Sequence, residues 1–393
     1  MITRDIFESV MGRMFKGKVI LITGARQVGK STFLEQLANA TGDHQVLSMN
    51  CDEPDIRLKL ENVTSTQLKS MIGKNRLIMI DEAQMVGNIG STLKLMVDQI
   101  KGIQIIATGS SAFDLRNKLN EPLTGRKYEY ILYPFSASEL VRHTNLLEES
   151  RLLDQRLIFG SYPDVVNQPS DAARILRELT NSYLFKDILA YRDLRKPEEL
   201  GKLLTALALQ LGSEVSYHEL SQILGIDKET VERYLDLLEK VFVVFRLSSF
   251  SRNLRNELKK SKKVYFYDNG VRNALINNFL PLALRNDTGA LWENYMISER
   301  KKFIEYHELY SGTYFWRTHT QQEIDYIEDR DGILHAFEFK WKESKRVAAP
   351  SAFSAAYPNH RFITVTPSNY LDFLTSTSPP NPLSQGRGGT SNL

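Results

Sequence analysis

From residue 18 to residue 133, short and almost wholly apolar runs alternate with stretches whose apolar residues recur at helical spacing. The runs 18–23, 45–49, 77–80, 102–108 and 128–133 have the length and continuity of strands buried on both faces. Between them, 31–40 reads as a helix stopped by Gly42. Thr64 with Gln67 forms a capping box that opens a short helix ending at Gly73. Alternation of this kind predicts an α/β fold with a parallel sheet covered on both faces.

Beyond residue 137 the period is helical up to 212, broken at Gly160 and Pro163. Ser216 and Glu219 then cap a helix carrying Leu220, Ile223 and Leu224, and Gly225 makes a turn. A second helix, 227–240, places Val231, Tyr234, Leu235 and Leu238 at i, i+3, i+4 and i+7. A strand at 241–247 is expected directly after it, as the wing of a winged helix. A basic connector at 252–263 leads to a strand at 264–267. Region 291–366 reads as a helix, then strands near 304–309, 313–317, 323–328 and 333–339, then a short helix and a last strand. The pattern divides the chain into a core at 1–136, a helical lid or connector at 137–198, a winged-helix-like domain at 199–270, a C-terminal α/β domain at 286–370 and a tail at 371–393. From 375 on, the tail is rich in Ser, Thr, Pro and Gly and is expected to be disordered.

Composition adds exclusions. With 42% hydrophobic and 25% charged residues over 393 positions, the chain has enough apolar material for several cores. The net charge of +3 carries no global basic excess, so nucleic-acid binding would need a local patch. The single cysteine, Cys51, excludes an internal disulfide and fits a reducing compartment, and the first ten residues lack the apolar stretch of a secretory signal. No run reaches the ~18 apolar residues of a membrane span. The expectation is a cytoplasmic protein.

Chemistry enters at Gly24, Ala25, Arg26, Gln27, Val28, Gly29, Lys30 and Ser31, which match G-x-x-x-x-G-K-[ST] between a strand and a helix, with Thr32 next on that helix. Glycines let backbone N–H groups turn around phosphate oxygens, and the helix N-terminus adds partial positive charge. Lys30 is expected on the β/γ-phosphates of ATP and Ser31 on Mg²⁺. A second apolar run ends in Asp81 and Glu82, the first placed to hold the Mg²⁺ shell and the second to polarise an attacking water. At the end of the fourth strand Thr108 and Ser110 are equal candidates for orienting that water. Arg126, just before the fifth strand, is a candidate to complete a neighbouring subunit's site.

These residues resemble AAA+ ATPases. More narrowly, Gly24 to Lys30, Asp81-Glu82-Ala83-Gln84, Thr124-Gly125-Arg126, Tyr133-Pro134-Phe135-Ser136, Phe159-Gly160-Ser161-Tyr162-Pro163 and Tyr265-Phe266-Tyr267-Asp268-Asn269-Gly270 resemble a large prokaryotic group. In that group a P-loop domain precedes a domain of unknown function containing a winged helix and a nuclease-like core. The resemblance implies a P-loop NTPase sheet with a helical lid, and Arg151, Arg156 and Arg174 are all candidates for a sensor arginine in that lid.

Glu293 on a helix, Asp325 on a strand, and Glu338 with Lys340 at i, i+2 on the next strand resemble the PD-(D/E)XK nuclease pattern. There, carboxylates would hold Mg²⁺ and the lysine would position water. Arg252, Arg255, Lys259, Lys260, Lys262 and Lys263, against one acid at Glu257, are a candidate contact to DNA or RNA phosphates. The helix 227–240 carries Asp227, Glu229, Glu232, Asp236 and Glu239, which repel a DNA groove, so packing or partner contact suits it better. The leading expectation is Mg²⁺-dependent ATP hydrolysis coupled to movement of the C-terminal half, with a homo-oligomer as one candidate assembly. The alternatives are an ATP-dependent nuclease and a slow ATP switch that recruits a protein.

Overall fold

The computed structural model describes residues 2–42, 45–110, 122–184, 197–251, 262–342 and 347–376. The chain divides into two compact units. One takes Met1–Phe135, Ser161–Leu200 and Glu232–Val243; the other takes Ser136–Gly160, Gly201–Val231 and Val244–Leu393.

The first unit is built on five parallel strands: β1 (Val19–Thr23), β2 (Val46–Asn50), β3 (Leu77–Asp81), β4 (Gln104–Gly109) and β5 (Lys127–Ile131), in the order β2-β3-β4-β1-β5. β1 and β4 are buried along their whole length, as their unbroken apolar runs require. The core under helices Ser65–Ile72 and Ile89–Gln99 includes Leu21, Leu68, Ile78, Ile80, Leu93, Met96 and Ala107. The Thr64–Gln67 capping box is present in both directions. Placing β1 beside β4, and β4 beside β3, brings the C-terminal ends of all three to one edge of the sheet. Open parallel sheets bind their ligands at that edge.

The second unit holds a seven-stranded mixed sheet: β6 (Glu214–Val215), β7 (Val244–Ser249), β8 (Lys262–Phe266), β9 (Gly312–Arg317), β10 (Glu323–Arg330), β11 (Ile333–Phe339) and β12 (His360–Val365). Their order is β12-β11-β10-β9-β7-β8-β6. Of the expected helix–turn–helix, this unit holds helix Tyr217–Leu224 and the turn at Gly225 with φ 66°; the second helix, Lys228–Lys240, belongs to the first unit from Glu232 on. The sheet does not break at 270–286. β7 pairs in parallel with β9 through Ser248 and Ser249, joining the hairpin after the helix–turn–helix to the C-terminal strands.

Three expectations need correction. The strand after the second helix starts at Val244, not 241, because Phe242 takes φ 61° and closes the helix. Its N–H bonds the Glu239 carbonyl, while the Val243 N–H reaches back to Leu238. No strand forms at 304–309: helix Thr288–Tyr306 runs on to Tyr306, since Leu291, Trp292, Tyr295, Met296, Phe303 and Tyr306 all bury on it. That packing overrides the strand preference of isolated Ile and Tyr. Finally, the tail does not begin at 371. Helix Tyr370–Thr375 buries Phe373 against Phe337, with ring centroids 4.7 Å apart, and Arg300 donates to the Phe373 carbonyl. Residues 377–393 lie outside the described residues.

Candidate nucleotide-binding site

At the C-terminal edge of β1 the chain turns through Gly24, whose φ of 156° is joined by contact with the backbone of Leu132. A Cβ there would stand 2.1 Å from the Leu132 carbonyl oxygen, so only glycine fits. Gln27 (φ 60°) and Gly29 (φ 89°) complete the curl, and Gly29 caps helix Lys30–Ala40. The Lys30 ammonium lies across the loop, donating to the carbonyls of Gly24 at 3.0 Å and Ala25 at 2.9 Å.

The neighbouring strand ends bring the expected acids to this loop. The Ser31 hydroxyl donates to Asp81 Oδ2 at 2.6 Å. The other Asp81 oxygen accepts from the Thr108 hydroxyl, and Thr108 Oγ1 in turn accepts from the Glu82 N–H at 3.3 Å. Glu82 sits at φ 51°, so the chain turns sharply after β3. Its carboxylate accepts from Gln84 Nε2, which also donates to Ser110 Oγ at 3.2 Å. The two hydroxyls left open by the sequence therefore divide their work: Thr108 orients Asp81, and Ser110 joins Glu82 through Gln84. Ser111 lies outside the described residues.

Two groups at this site carry no motif signal. Arg4 is buried and donates to the Val28 carbonyl at 2.8 Å and the Tyr133 carbonyl at 2.5 Å. In a trans peptide the N–H of the next residue points opposite the carbonyl, so this bond aims the Gly29 N–H away from Arg4. Cys51 lies beside the acids; burial, then the Asp81 carboxylate, pushes its thiol up to about 12, and it is inert near neutral pH. An arginine so far from the loop in sequence shows no pattern that spacing would reveal.

Arg126 stands at the other edge of the sheet. Its carbonyl accepts from the Val19 N–H at the start of β1, and its side chain pairs with Asp98 at 2.9 Å. The three lid candidates all have carboxylate partners. Arg156 is buried in a two-point pair with Glu149, Arg151 pairs with Glu148, and Arg174 pairs with Asp171 and Glu178.

Residues 16–141 match a family model described as an AAA domain. This part of the chain is similar to AAA domains. Two further models match behind it, each described as a domain of unknown function: DUF8612 over residues 150–281 and DUF4143 over residues 288–378. An uncharacterized protein of Mycobacterium tuberculosis is 28% identical over 362 residues, covering 88% of this chain and 75% of that protein. An uncharacterized protein of Haemophilus influenzae is 27% identical, covering 64% and 68%. Among solved structures, a Walker-type ATPase of Pyrococcus abyssi is 16% identical with a TM-score of 0.48, covering 70% of this chain and 96% of that one. A RuvB protein of Thermotoga maritima is 15% identical with a TM-score of 0.32, covering 70% and 93%.

In the DUF4143 region Glu293, Asp325, Glu338 and Lys340 lie near one another. Asp325 sits at a β-bulge, where two steps on β9, from Tyr314 to Trp316, oppose three on β10, from Ile324 to Ile327. Its Oδ2 accepts from the Phe339 N–H at 2.8 Å. Burial, then the nearby Glu293 and Glu338, holds its carboxyl well above the usual carboxylate range. Lys340 pairs with Glu338 at 2.6 Å and is not held apart from carboxylates as a water-positioning lysine would be. Lys263, expected in a phosphate-binding connector, is instead buried in β8 and paired with Glu293 and Glu323. Residues 252–261 of that connector lie outside the described residues. Glu323 and Tyr265 escaped the sequence reading, although Glu323-Ile-Asp325 is itself an i, i+2 signal. Among the described residues no helix is long and apolar enough to cross a membrane.

Proposed function

We propose that the protein is a Mg²⁺-dependent ATPase whose nucleotide state moves its C-terminal part, acting in an assembly of like chains. The observation that carries this reading is the 2.6 Å contact of Ser31 with Asp81 beside the Lys30 loop. A hydroxyl and a carboxylate, both hard oxygen donors, suit Mg²⁺, which takes one or two carboxylates together with phosphate and water. Ser31 and Asp81 would hold the ion, and bound Mg²⁺ neutralises phosphate charge as it develops.

The chain's own groups do the rest. Loop N–H groups and the Lys30 ammonium bind the β/γ-phosphates. Glu82 accepts the proton of the attacking water, with its carboxylate oriented by Gln84. Ser110, tied to the same amide, serves as the water-orienting hydroxyl. Arg126 is unsuited to its own subunit's phosphates, because β5 runs parallel to β1 and puts it roughly 16 Å along the strand from the phosphate end. It is therefore assigned to a neighbour's site.

Two variants test the reading. Lys30→Ala should abolish ATP binding in an equilibrium assay. Glu82→Gln should hold ATP affinity while phosphate release falls roughly 10²–10⁴-fold. Normal hydrolysis by Glu82→Gln would remove Glu82 as the base.

A further inference from the structure

The carboxylates of the DUF4143 region come from three elements: Glu293 from helix Thr288–Tyr306, Glu323 and Asp325 from β10, and Glu338 from β11. A resemblance to nuclease cores implies a divalent ion among them, so the donors need to offer free lone pairs. They do not. Glu293 Oε1 accepts from Lys263 Nζ at 3.1 Å and from the Tyr265 hydroxyl at 2.5 Å. Glu323 is in contact with the same ammonium and lies 3.5 Å from Arg317 Nε. Asp325 accepts the Phe339 N–H, and Glu338 Oε1 is 2.6 Å from Lys340. With Glu214, 3.2 Å from Arg317, five carboxylates face three cations, Lys263, Lys340 and Arg317. Glu293, Glu323 and Glu338 each already have an ammonium in contact, so a dication would have to displace Lys263 or Lys340 to reach them.

Lys263 differs from the other two cations in being immobile. Its side chain is 3% exposed, whereas that of Lys340 is 39% exposed. β8 is paired on both sides, with Lys263 opposite Leu247 on β7 and opposite Glu214 on β6. Tyr265, two residues on and therefore on the same face, binds the same glutamate oxygen. A surface lysine can swing out to admit an ion; this one is held by two ladders.

We infer that Lys263 is the built-in cation of this carboxylate cluster and excludes a divalent ion from it. The C-terminal unit then keeps the acids of a metal site without the metal.

Manganese binding to the full chain, read by electron paramagnetic resonance without nucleotide, tests this. The background is Asp81→Asn, which takes away the P-loop carboxylate. With Lys263 in place, no Mn²⁺ should bind in a way that depends on Asp325. Adding Lys263→Met, which keeps an unbranched apolar stem and drops the ammonium, should tighten Mn²⁺ binding at least tenfold, and Asp325→Asn should cancel the gain. A folded Lys263→Met protein that gains no Mn²⁺ overturns the inference. So does Mn²⁺ bound in the presence of Lys263 and lost on Asp325→Asn. If Lys263→Met fails to fold, that second comparison decides alone, and Lys263→Arg, which keeps the charge, must remain free of Mn²⁺.

Discussion

Replacing Thr108 with Val separates the site's geometry from its motif. Thr108 is fully buried, and its hydroxyl does two things: it donates to one oxygen of Asp81 and accepts the Glu82 N–H at 3.3 Å. Val keeps the branched shape and loses both. The Glu82 N–H retains a bond to Asp81 Oδ1 at 3.1 Å, so no buried donor is orphaned. What is lost is one hydrogen bond to a charged group, about 1.5–3 kcal/mol. For a unit of 150–250 residues, a loss of about 2 kcal/mol corresponds to roughly 4–8 °C in Tm. Asp81, freed on that side, should also hold Mg²⁺ less well. If a similar energy is lost from the transition state, turnover falls about 10–100-fold. Thermal unfolding by fluorescence and phosphate release at varied Mg²⁺ give both numbers. ATP binding in EDTA should be unchanged, because Thr108 touches the acids and not the loop. Thr108→Ser, which restores the hydroxyl, should recover most of the turnover. Wild-type turnover and Tm in Thr108→Val would refute the view that this hydroxyl sets the Asp81 carboxylate.

Mixed assemblies of Arg126→Ala with Lys30→Ala subunits should regain ATPase activity, since intact loops would meet intact arginines across boundaries. Failure to complement, with both chains folded and co-assembled, removes Arg126 as a finger; the lost Asp98 pair is surface-exposed and should itself cost under about 1 kcal/mol. In the second unit, burial would raise the Asp287 carboxyl. Hydrogen bonds from Arg285 and Arg272 overcome burial and hold it at about 2 instead of the ordinary 3.8. A depressed carboxyl pKa adds stability that is complete above pH ~4 and lost as pH falls towards ~2, about 2 kcal/mol in all. Urea titrations across that window should show the slope in the wild type and lose it in Asp287→Asn; an identical slope in both would place the effect elsewhere.

The candidate nucleotide site was legible because its parts are local. A loop that must turn its N–H groups around phosphate needs Gly24 and Gly29 at fixed spacing, and an apolar strand that ends in Asp81 and Glu82 announces itself by its pattern. The five parallel strands follow from continuous apolar runs, and all five were legible to within about two residues at each end. Tertiary structure decided whatever depends on which strands are neighbours. The order β3-β4-β1 assigns Thr108 to Asp81 and Ser110 to Gln84, a division that two equivalent hydroxyls in one strand end cannot express. Long-range burial extended helix Thr288–Tyr306 through a segment with strand preference and drew Phe373 out of an expected tail. The same non-local pairing put Lys263 among the acids of β10 and helix Thr288–Tyr306. In the sequence it belongs to a basic run; in the sheet, two ladders bury it, and burial beside Glu293 and Glu323 turns a solvent-facing charge into a fixed counter-ion.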